Sequence, residues 1–275
     1  MCIRDSYYHA TFLAYFSGAP WRIGYSETVI KHKKELNKDY DLLLTHAIKD
    51  DTLKHEVEHN LDVIRFLGGE ILDDRLELWL SEEDIAFAKN LLNNHGVKPD
   101  DLLVAFAPGA GASKRMWPIE RFAQLGSWLQ STHKARILII GGPREEVLGQ
   151  ELKQSLGSRA INAAGKTTLR ETAALLCQCQ VFVGNDAGPM HMAAAANVPI
   201  VEISCHPKRG SAWSSNSPLR FRPWKINYVT VQPVIPIPPC KDECTANHPH
   251  CIAGVSVESV KRAAEKMLTS SHSKT

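Results

Sequence analysis

A regular alternation of apolar runs and helical segments, beginning near residue 98, constrains the fold more than any other feature of the sequence. The runs "LLVAFA", "ARILII", "QVFVG" and "VPIVEIS" are almost continuously apolar, as strands buried on both faces of a parallel sheet are. Segments between them, such as "PIERFAQLGSWLQ", have apolar residues at helical spacing and begin with proline, which suits the first helical turn. The alternation predicts an α/β fold with a doubly wound parallel sheet.

Composition narrows the class of protein without naming a function. The 275 residues are 44% hydrophobic and 23% charged, which is typical of a soluble globular chain. The net charge is only +2 and the basic residues form no long run, so nothing favours a nucleic-acid partner. No apolar stretch reaches the roughly 18 residues of a membrane span, and the N-terminus lacks the features of a signal peptide. The sequence therefore predicts a cytoplasmic protein.

The chain divides into three predicted segments. Residues 1–97 contain two good helical patterns and one short strand in "APWRIGY", too few strands for an independent sheet. We expect them to be the remnant of a domain whose earlier units are absent, with part of its apolar surface exposed. Residues 98–255 form the Rossmann-like domain, and residues 256–275 form a closing amphipathic helix and tail. We expect the helix to turn back toward the remnant and to bury a stripe of four apolar residues: Val257, Val260, Ala264 and Leu268.

The segment "FVGNDAGPMHMAAAANVP" is the strongest candidate for a binding turn. Asn185, Asp186 and Gly188 lie at the end of a predicted strand, where ligands of parallel sheets bind. A helix then opens at Pro189, with His191 in its first turn, and a helix N-terminus attracts anions. The alternative is a structural one, in which Asp186 only caps the helix and His191 is a half-buried surface group.

Three further loops follow predicted strands at the same edge of the sheet. The loop "APGAGASKR" includes Gly109 and Ser113 and ends in two cations, Lys114 and Arg115, which suit a diphosphate. The loop "GGPREE" offers Glu145 to a ribose hydroxyl, although an exposed glutamate explains it equally well. The loop "AAGKTT" offers Thr167, followed by a predicted helix cap. Neither the P-loop spacing nor the dinucleotide fingerprint is present. The four loops together predict a nucleotide-diphosphate cleft.

The motifs "PGAGASKRMWPIERFAQL", "GGPREE" and "FVGNDAGPMHMAAAANVP" resemble those of the ADP-heptose:lipopolysaccharide heptosyltransferases, glycosyltransferase family nine. The segments "HEVEHNLDVIRFLG" and "CKDECTANHPHCIAGVSVESV" are also similar, so the resemblance extends from about residue 10 to about residue 268. It implies a GT-B fold of two Rossmann-like domains, of which the N-terminal one, the acceptor domain, is incomplete here. The C-terminal domain binds the nucleotide-sugar donor.

The resemblance also assigns roles to individual residues. It matches four residues to the family's donor-binding turn: Asp186, Ala187, Gly188 and His191. Chemistry favours Lys114 as the diphosphate cation, whereas spacing favours Arg115. Glu145 corresponds to the ribose contact and Thr167 to a residue near the base.

The activity that the resemblance implies is transfer of a heptose or related sugar, with inversion, from an ADP-sugar to a lipopolysaccharide core or other glycan acceptor. Such an enzyme can lie at the periphery of the inner membrane, and no cofactor or catalytic metal is expected. The family's proposed general base is an aspartate early in the N-terminal domain, and no residue here corresponds to it. We therefore expect an N-terminally truncated chain, and the alternative function is a catalytically inactive, nucleotide-binding fragment.

Two groups of residues raise the question of a metal. Cys240, Cys244 and Cys251, with His248 and His250 nearby, depart from the common zinc spacings, so reduced thiols packing a proline-rich loop are favoured and a structural metal stays open. The segment "HEVEH" fits the H-E-x-x-H pattern of zinc hydrolases. We reject that interpretation because the segment also resembles a heptosyltransferase helix.

Overall fold

The structure is a computed structural model that describes residues 7–29 and 39–271. Contacts divide the chain into two compact units, Met1–Asp74 and Arg75–Thr275. Each unit has its own secondary structure.

The first unit is small and contains a two-stranded parallel sheet. Its described elements are helix α1 (Tyr7–Phe16), strand β1 (Ile23–Tyr25), a short 3-10 helix (Tyr40–Leu43), strand β2 (His46–Ile48) and helix α2 (Glu56–Phe66). The predicted strand in "APWRIGY" is therefore confirmed as β1, and its partner β2 was not predicted. The unit exposes several large apolar side chains, among them Leu13, Phe16 and Leu42, each more than 70% accessible. This agrees with the prediction of exposed apolar surface in this segment.

The second unit is built on a six-stranded, fully parallel sheet. The strands are β3 (Leu103–Ala107), β4 (Arg136–Ile139), β5 (Ala160–Asn162), β6 (Val181–Asn185), β7 (Ile200–Ile203) and β8 (Tyr228–Val231). Their order across the sheet is β5-β4-β3-β6-β7-β8, which is the 3-2-1-4-5-6 order of nucleotide-binding Rossmann domains. The predicted doubly wound α/β fold is confirmed, with β8 as a strand that the sequence did not reveal.

Helices cover both faces of this sheet. They are α3 (Glu82–Asn94), α4 (Ile119–His133), α5 (Glu146–Leu156), α6 (Leu169–Leu176), α7 (Gly188–Ala195), α8 (Pro218–Phe221) and α9 (Val257–Ser271). One apolar core contains residues of α4, α5 and α9, and a second core on the other face contains residues of α3, α6 and α7. Ser81 and Thr168 form capping boxes at the starts of α3 and α6, as predicted for Thr168 from its spacing to Glu171.

One prediction about the segments differs from the structure. Helix α3, which the sequence grouped with residues 1–97, packs on α6 in the second unit, and its Asp84 forms an ion pair with Arg170. Helix α9 buries Val260, Ala264 and Leu268 as predicted, against β6, β7, β8 and α4 of its own unit, and Val257 is half-buried. Its expected turn toward the first segment stays a prediction.

Candidate functional site

The candidate site lies at the carboxyl edge of the sheet, where the strand order reverses. From β3 the chain proceeds to β4 and β5 on one side, and it then continues through β6 to β7 and β8 on the other side. The loops that follow β3 and β6 therefore diverge and leave a crevice between them, which is where open α/β sheets bind ligands. Residues 108–118 and 186–187 form these two loops.

Asn185, the last residue of β6, connects the two loops. Its side-chain amide donates to the carbonyls of Pro108 at 2.7 Å and Gly109 at 3.3 Å. Its Oδ1 accepts a hydrogen bond from the backbone N–H of Trp117 at 3.0 Å. The Trp117 indole N–H in turn donates to the carbonyl of Val255 at 2.9 Å. Both ends of the glycine-rich loop are therefore fixed relative to β6.

Arg115 and Asp186 form a buried pair of opposite charge between these loops. The guanidinium Nη1 lies 3.7 Å from the carboxylate Oδ2, and both residues are less than 10% exposed. The Nε of Arg115 is buried and has no hydrogen-bond partner among the described residues. Buried polar groups usually have partners, so an unsatisfied guanidinium at a crevice is a candidate anion contact.

A second buried carboxylate stands beside this pair. Glu202, on β7, is 1% exposed and accepts a hydrogen bond from the Thr230 hydroxyl at 2.6 Å. Burial and the negative charge of Asp186 raise the pKa of Glu202. Burial also raises the pKa of Asp186, and the positive charge of Arg115 opposes that rise. Glu202 therefore holds its proton at a higher pH than an exposed glutamate does.

The residues that follow Asp186 form the start of α7. Ala187 is the N-cap residue, and its methyl side chain makes no capping hydrogen bond. A Cβ added at Gly188 would meet no atom within 4 Å, so the space over the first turn is open. His191 lies in the first turn and is partly buried. The predicted binding turn therefore presents an open helix N-terminus beside Arg115.

The two predicted cations have different surroundings. Lys114 donates from Nζ to the carbonyl of Cys244 at 2.7 Å, whereas Arg115 lies beside Asp186. Spacing and chemistry disagreed about which cation contacts a diphosphate, and this geometry favours Arg115. Ser113 is exposed and begins the short 3-10 helix that carries both cations.

The loops "GGPREE" and "AAGKTT" contribute side chains that already have hydrogen-bond partners within the chain. Glu145 Oε2 accepts the N–H of Gly142 at 2.7 Å, and a Cβ at Gly109 would lie 2.2 Å from Glu145 Cγ. Glu145 is therefore packed directly against the glycine-rich loop. Thr167 shares a hydrogen bond of 2.7 Å with Thr172. The contacts of Glu145 with a ribose and of Thr167 with a base stay predictions.

Sequence reasoning placed Asn185 at the strand end but missed its role in connecting the two loops, and it missed Glu202 entirely. A fully buried amide at a strand end must satisfy three or four hydrogen-bonding positions, which was the available signal for Asn185. Glu202 stands in the apolar run "VPIVEIS", and a carboxylate within a buried strand is itself a signal, because burying a charge is costly.

The zinc-hydrolase interpretation of "HEVEH" finds no support in the geometry. His55 is the N-cap residue of α2, and its Nδ1 accepts the N–H of Val57 at 3.1 Å. His59 Nδ1 lies 3.5 Å from a carboxylate oxygen of Glu56, the residue that a zinc hydrolase would use as its base. Within residues 7–29 and 39–271, His55 and His59 belong to no group of three metal-ligating side chains.

No helix in the same ranges is both long and apolar enough to cross a lipid bilayer.

The fold and the crevice define the class of protein, an α/β protein of the GT-B type whose Rossmann-like unit has a crevice at the point where the strand order reverses. The sequence model of glycosyltransferase family 9 (heptosyltransferase) matches residues 5–249, and the chain belongs to this family.

Curated relatives are heptosyltransferases. The lipooligosaccharide heptosyltransferase 2 of Haemophilus influenzae is 36% identical over 107 residues, which is 37% of this chain and 30% of the relative. The lipooligosaccharide heptosyltransferase 2 of Campylobacter jejuni serotype O:2 is 26% identical over 265 residues, 92% of this chain and 75% of the relative. The matches to the lipooligosaccharide heptosyltransferases 2 of Haemophilus influenzae and Haemophilus ducreyi each span less than a third of the relative's length.

Solved structures share the fold. The family 9 glycosyltransferase of Veillonella parvula has a TM-score of 0.74 at 22% identity, covering 94% of this chain and 70% of that one. The ADP-heptose lipopolysaccharide heptosyltransferase II of Escherichia coli has a TM-score of 0.70 at 20% identity, covering 96% and 75%.

Proposed function

We propose that this protein is a glycosyltransferase that binds an ADP-sugar in the crevice between the loops after β3 and β6. Transfer of a heptose or related sugar to a lipopolysaccharide core or other glycan acceptor, with inversion, is the proposed reaction. The observation that carries the proposal is the buried guanidinium of Arg115, whose Nε has no partner among the described residues and which stands beside the open start of α7. Family membership indicates which anion this arrangement suits.

A diphosphate in the crevice would complete the hydrogen bonding of Arg115. Its guanidinium can donate two parallel hydrogen bonds to phosphate oxygens, and the first turn of α7 adds backbone donors and a favourable dipole. Asp186 balances the positive charge of Arg115 before a ligand binds. His191, in the same turn, supplies a further donor in this proposal.

The same groups would act on the leaving group of sugar transfer. When the bond between the anomeric carbon and the diphosphate breaks, negative charge develops on the diphosphate oxygens. A preorganised cation and backbone N–H groups stabilise that charge in the transition state. In this proposal added Mg²⁺ is not required for turnover.

Binding is tested by calorimetric titration of the full chain with ADP. Arg115→Gln should weaken ADP binding by about tenfold or more, because a hydrogen bond to a charged group contributes about 1.5 kcal/mol or more. Arg262→Gln is the matched control, since Arg262 is exposed on α9. Equal affinity in the wild type and in Arg115→Gln would overturn the assignment of the crevice.

Turnover is tested separately, by release of ADP from ADP-heptose in the presence of a lipopolysaccharide core acceptor. Release that depends on the acceptor supports the transferase. Binding of ADP without any release would instead support the alternative, a nucleotide-binding fragment without catalytic activity. The proposed acceptor is part of a membrane lipid, so we also propose peripheral association with the inner membrane. Co-sedimentation with lipopolysaccharide-containing vesicles tests that association.

A further inference from the structure

Four metal-ligating side chains converge in the segment that precedes α9. They are Cys240, Cys244, His250 and Cys251, and one ligand atom of each lies within 4.8 Å of all the others. The three cysteines are between 0% and 7% exposed and have free thiols. Among the described residues no other group of three or more such side chains comes together in this way.

The separations agree with the edges of a tetrahedral zinc site. Zinc lies about 2.3 Å from a thiolate sulfur and about 2.0 Å from an imidazole nitrogen, which places sulfur and nitrogen about 3.5 Å apart in a tetrahedron. Nδ1 of His250 lies 3.5 Å from Sγ of Cys240 and 3.5 Å from Sγ of Cys251. The imidazole thus already has the sulfur distances that a shared ion would impose.

Burial of thiols alone does not explain this cluster. A thiol packs like a small apolar side chain and needs neither other thiols nor an imidazole beside it. Cys240 also accepts a hydrogen bond from the backbone N–H of Thr245 at 3.4 Å. Hydrogen-bond donors around the ligands are typical of metal sites, where they orient the ligand and adjust its basicity.

We propose that Cys240, Cys244, His250 and Cys251 bind one Zn²⁺ as a closed, four-coordinate structural site. Three thiolates and one imidazole are a ligand set found in structural zinc sites, and soft thiolates favour zinc over the hard cations. All four tetrahedral positions are filled by the protein, so the ion has no open position for substrate.

The zinc site stabilises residues 240–255, which contact the glycine-rich loop after β3 and the start of α4. The carbonyl of Cys244 accepts the hydrogen bond from Lys114. Downstream of Cys251, the carbonyls of Ala253 and Val255 each accept a hydrogen bond of 2.6 Å from Arg121, in the first turn of α4. These contacts attach residues 244–255 to the loop that carries Arg115 and to the first turn of α4. The zinc therefore orders one wall of the crevice without contacting the nucleotide.

The first experiment measures the metal content of the full chain, purified without chelators, by inductively coupled plasma mass spectrometry. We expect one zinc per chain in the wild type. His250→Ala should lower zinc affinity at least tenfold in competition with a chromophoric chelator. His248→Ala is the matched control, because His248 is an exposed histidine two residues away and is not one of the four converging side chains.

The second experiment does not depend on variants that fold. Wild-type protein is loaded with Co²⁺, and its absorption spectrum is recorded together with the number of thiols that react before and after chelation. Intense tetrahedral d–d bands, a thiolate-to-cobalt charge-transfer band and thiols that react only after chelation support the site. Absence of bound metal, a disulfide in place of the thiols, stoichiometric iron instead of zinc, or equal zinc affinity in the two histidine variants would overturn the proposal. Neither experiment uses ADP, so both are independent of the proposed function.

Discussion

The side chain of Asn185 accepts a hydrogen bond of 3.0 Å from the backbone N–H of Trp117, so the end of β6 holds the start of α4. The same side chain donates to the carbonyl of Pro108, the first residue after β3. One amide therefore closes the loop that presents Arg115 to the crevice. The shape of the loop is set by a residue of the neighbouring strand, more than 60 positions away in the sequence.

Replacing this amide should destabilise the second unit. Asn185→Ala leaves the Trp117 N–H and the Pro108 carbonyl buried without their partner, at a cost of about 1–3 kcal/mol for each group. Urea unfolding should therefore show a lower midpoint. Asn93→Ala, an exposed site in the last turn of α3, is the control and should change the midpoint little. An unchanged midpoint in Asn185→Ala would show that the amide does not hold the loop.

The order of strands and helices in the second unit was predictable from local patterns. The runs that became β3, β4, β6 and β7 are almost continuously apolar, and Thr168 and Glu171 have the spacing of a capping box. Strand β8 was not predictable in the same way. It is a half-buried edge strand whose residues 228–231 alternate only weakly, within a segment rich in proline and polar residues.

Most members of the candidate site were predictable, with Glu202 as the exception, but their contacts were not. Asp186, Gly188 and His191 follow a strand and open a helix, which is a local pattern. The pairing of Arg115 with Asp186, and of Lys114 with the carbonyl of Cys244, joins segments about 70 and 130 residues apart. Local patterns contain no information about such pairs, so the sequence left the two cations equivalent.

A methyl group at the start of α7 tests the crevice with little disturbance of the protein. Gly188 has open space around its Cβ position and does not have a positive φ, so Gly188→Ala should unfold at the wild-type temperature. A diphosphate bound over this turn would meet the added methyl group, and we expect ADP affinity to fall several-fold. Calorimetric titration and thermal unfolding of the same sample measure both effects. Unchanged ADP affinity would place the diphosphate elsewhere.

Glycine at position 109 is required by the neighbouring glutamate. A Cβ there would lie 2.2 Å from Glu145 Cγ, so Gly109→Ala should displace Glu145 and break its hydrogen bond with the Gly142 N–H. We expect a lower melting temperature and weaker ADP binding. In the double variant Gly109→Ala/Glu145→Ala the clash is absent, so part of the lost stability should return. A double variant no more stable than Gly109→Ala alone would mean that the methyl group clashes with another part of the loop.

The buried carboxylate of Glu202 should make the stability of the protein depend on pH. Burial and the charge of Asp186 raise its pKa from the ordinary 4.5 to about 8 in the folded state. The folded state therefore binds this proton more tightly than the unfolded state does. The resulting stabilisation is fully present below pH 4.5 and is lost as the pH rises toward about 8.

Glu202→Gln removes this titration while keeping an oxygen to accept the hydrogen bond of Thr230. Denaturant unfolding across the interval from pH 4.5 to about 8 should show that the wild type loses stability faster than the variant. The variant should gain relative to the wild type at the alkaline end, where the wild-type carboxylate is ionised and buried. Glu265→Gln, at an exposed position of α9, is the matched control and should leave the wild-type slope unchanged. If stability depends on pH equally in the wild type and in Glu202→Gln, Glu202 has the same pKa in the folded and unfolded states. Burial beside Asp186 would then leave the pKa of Glu202 unchanged.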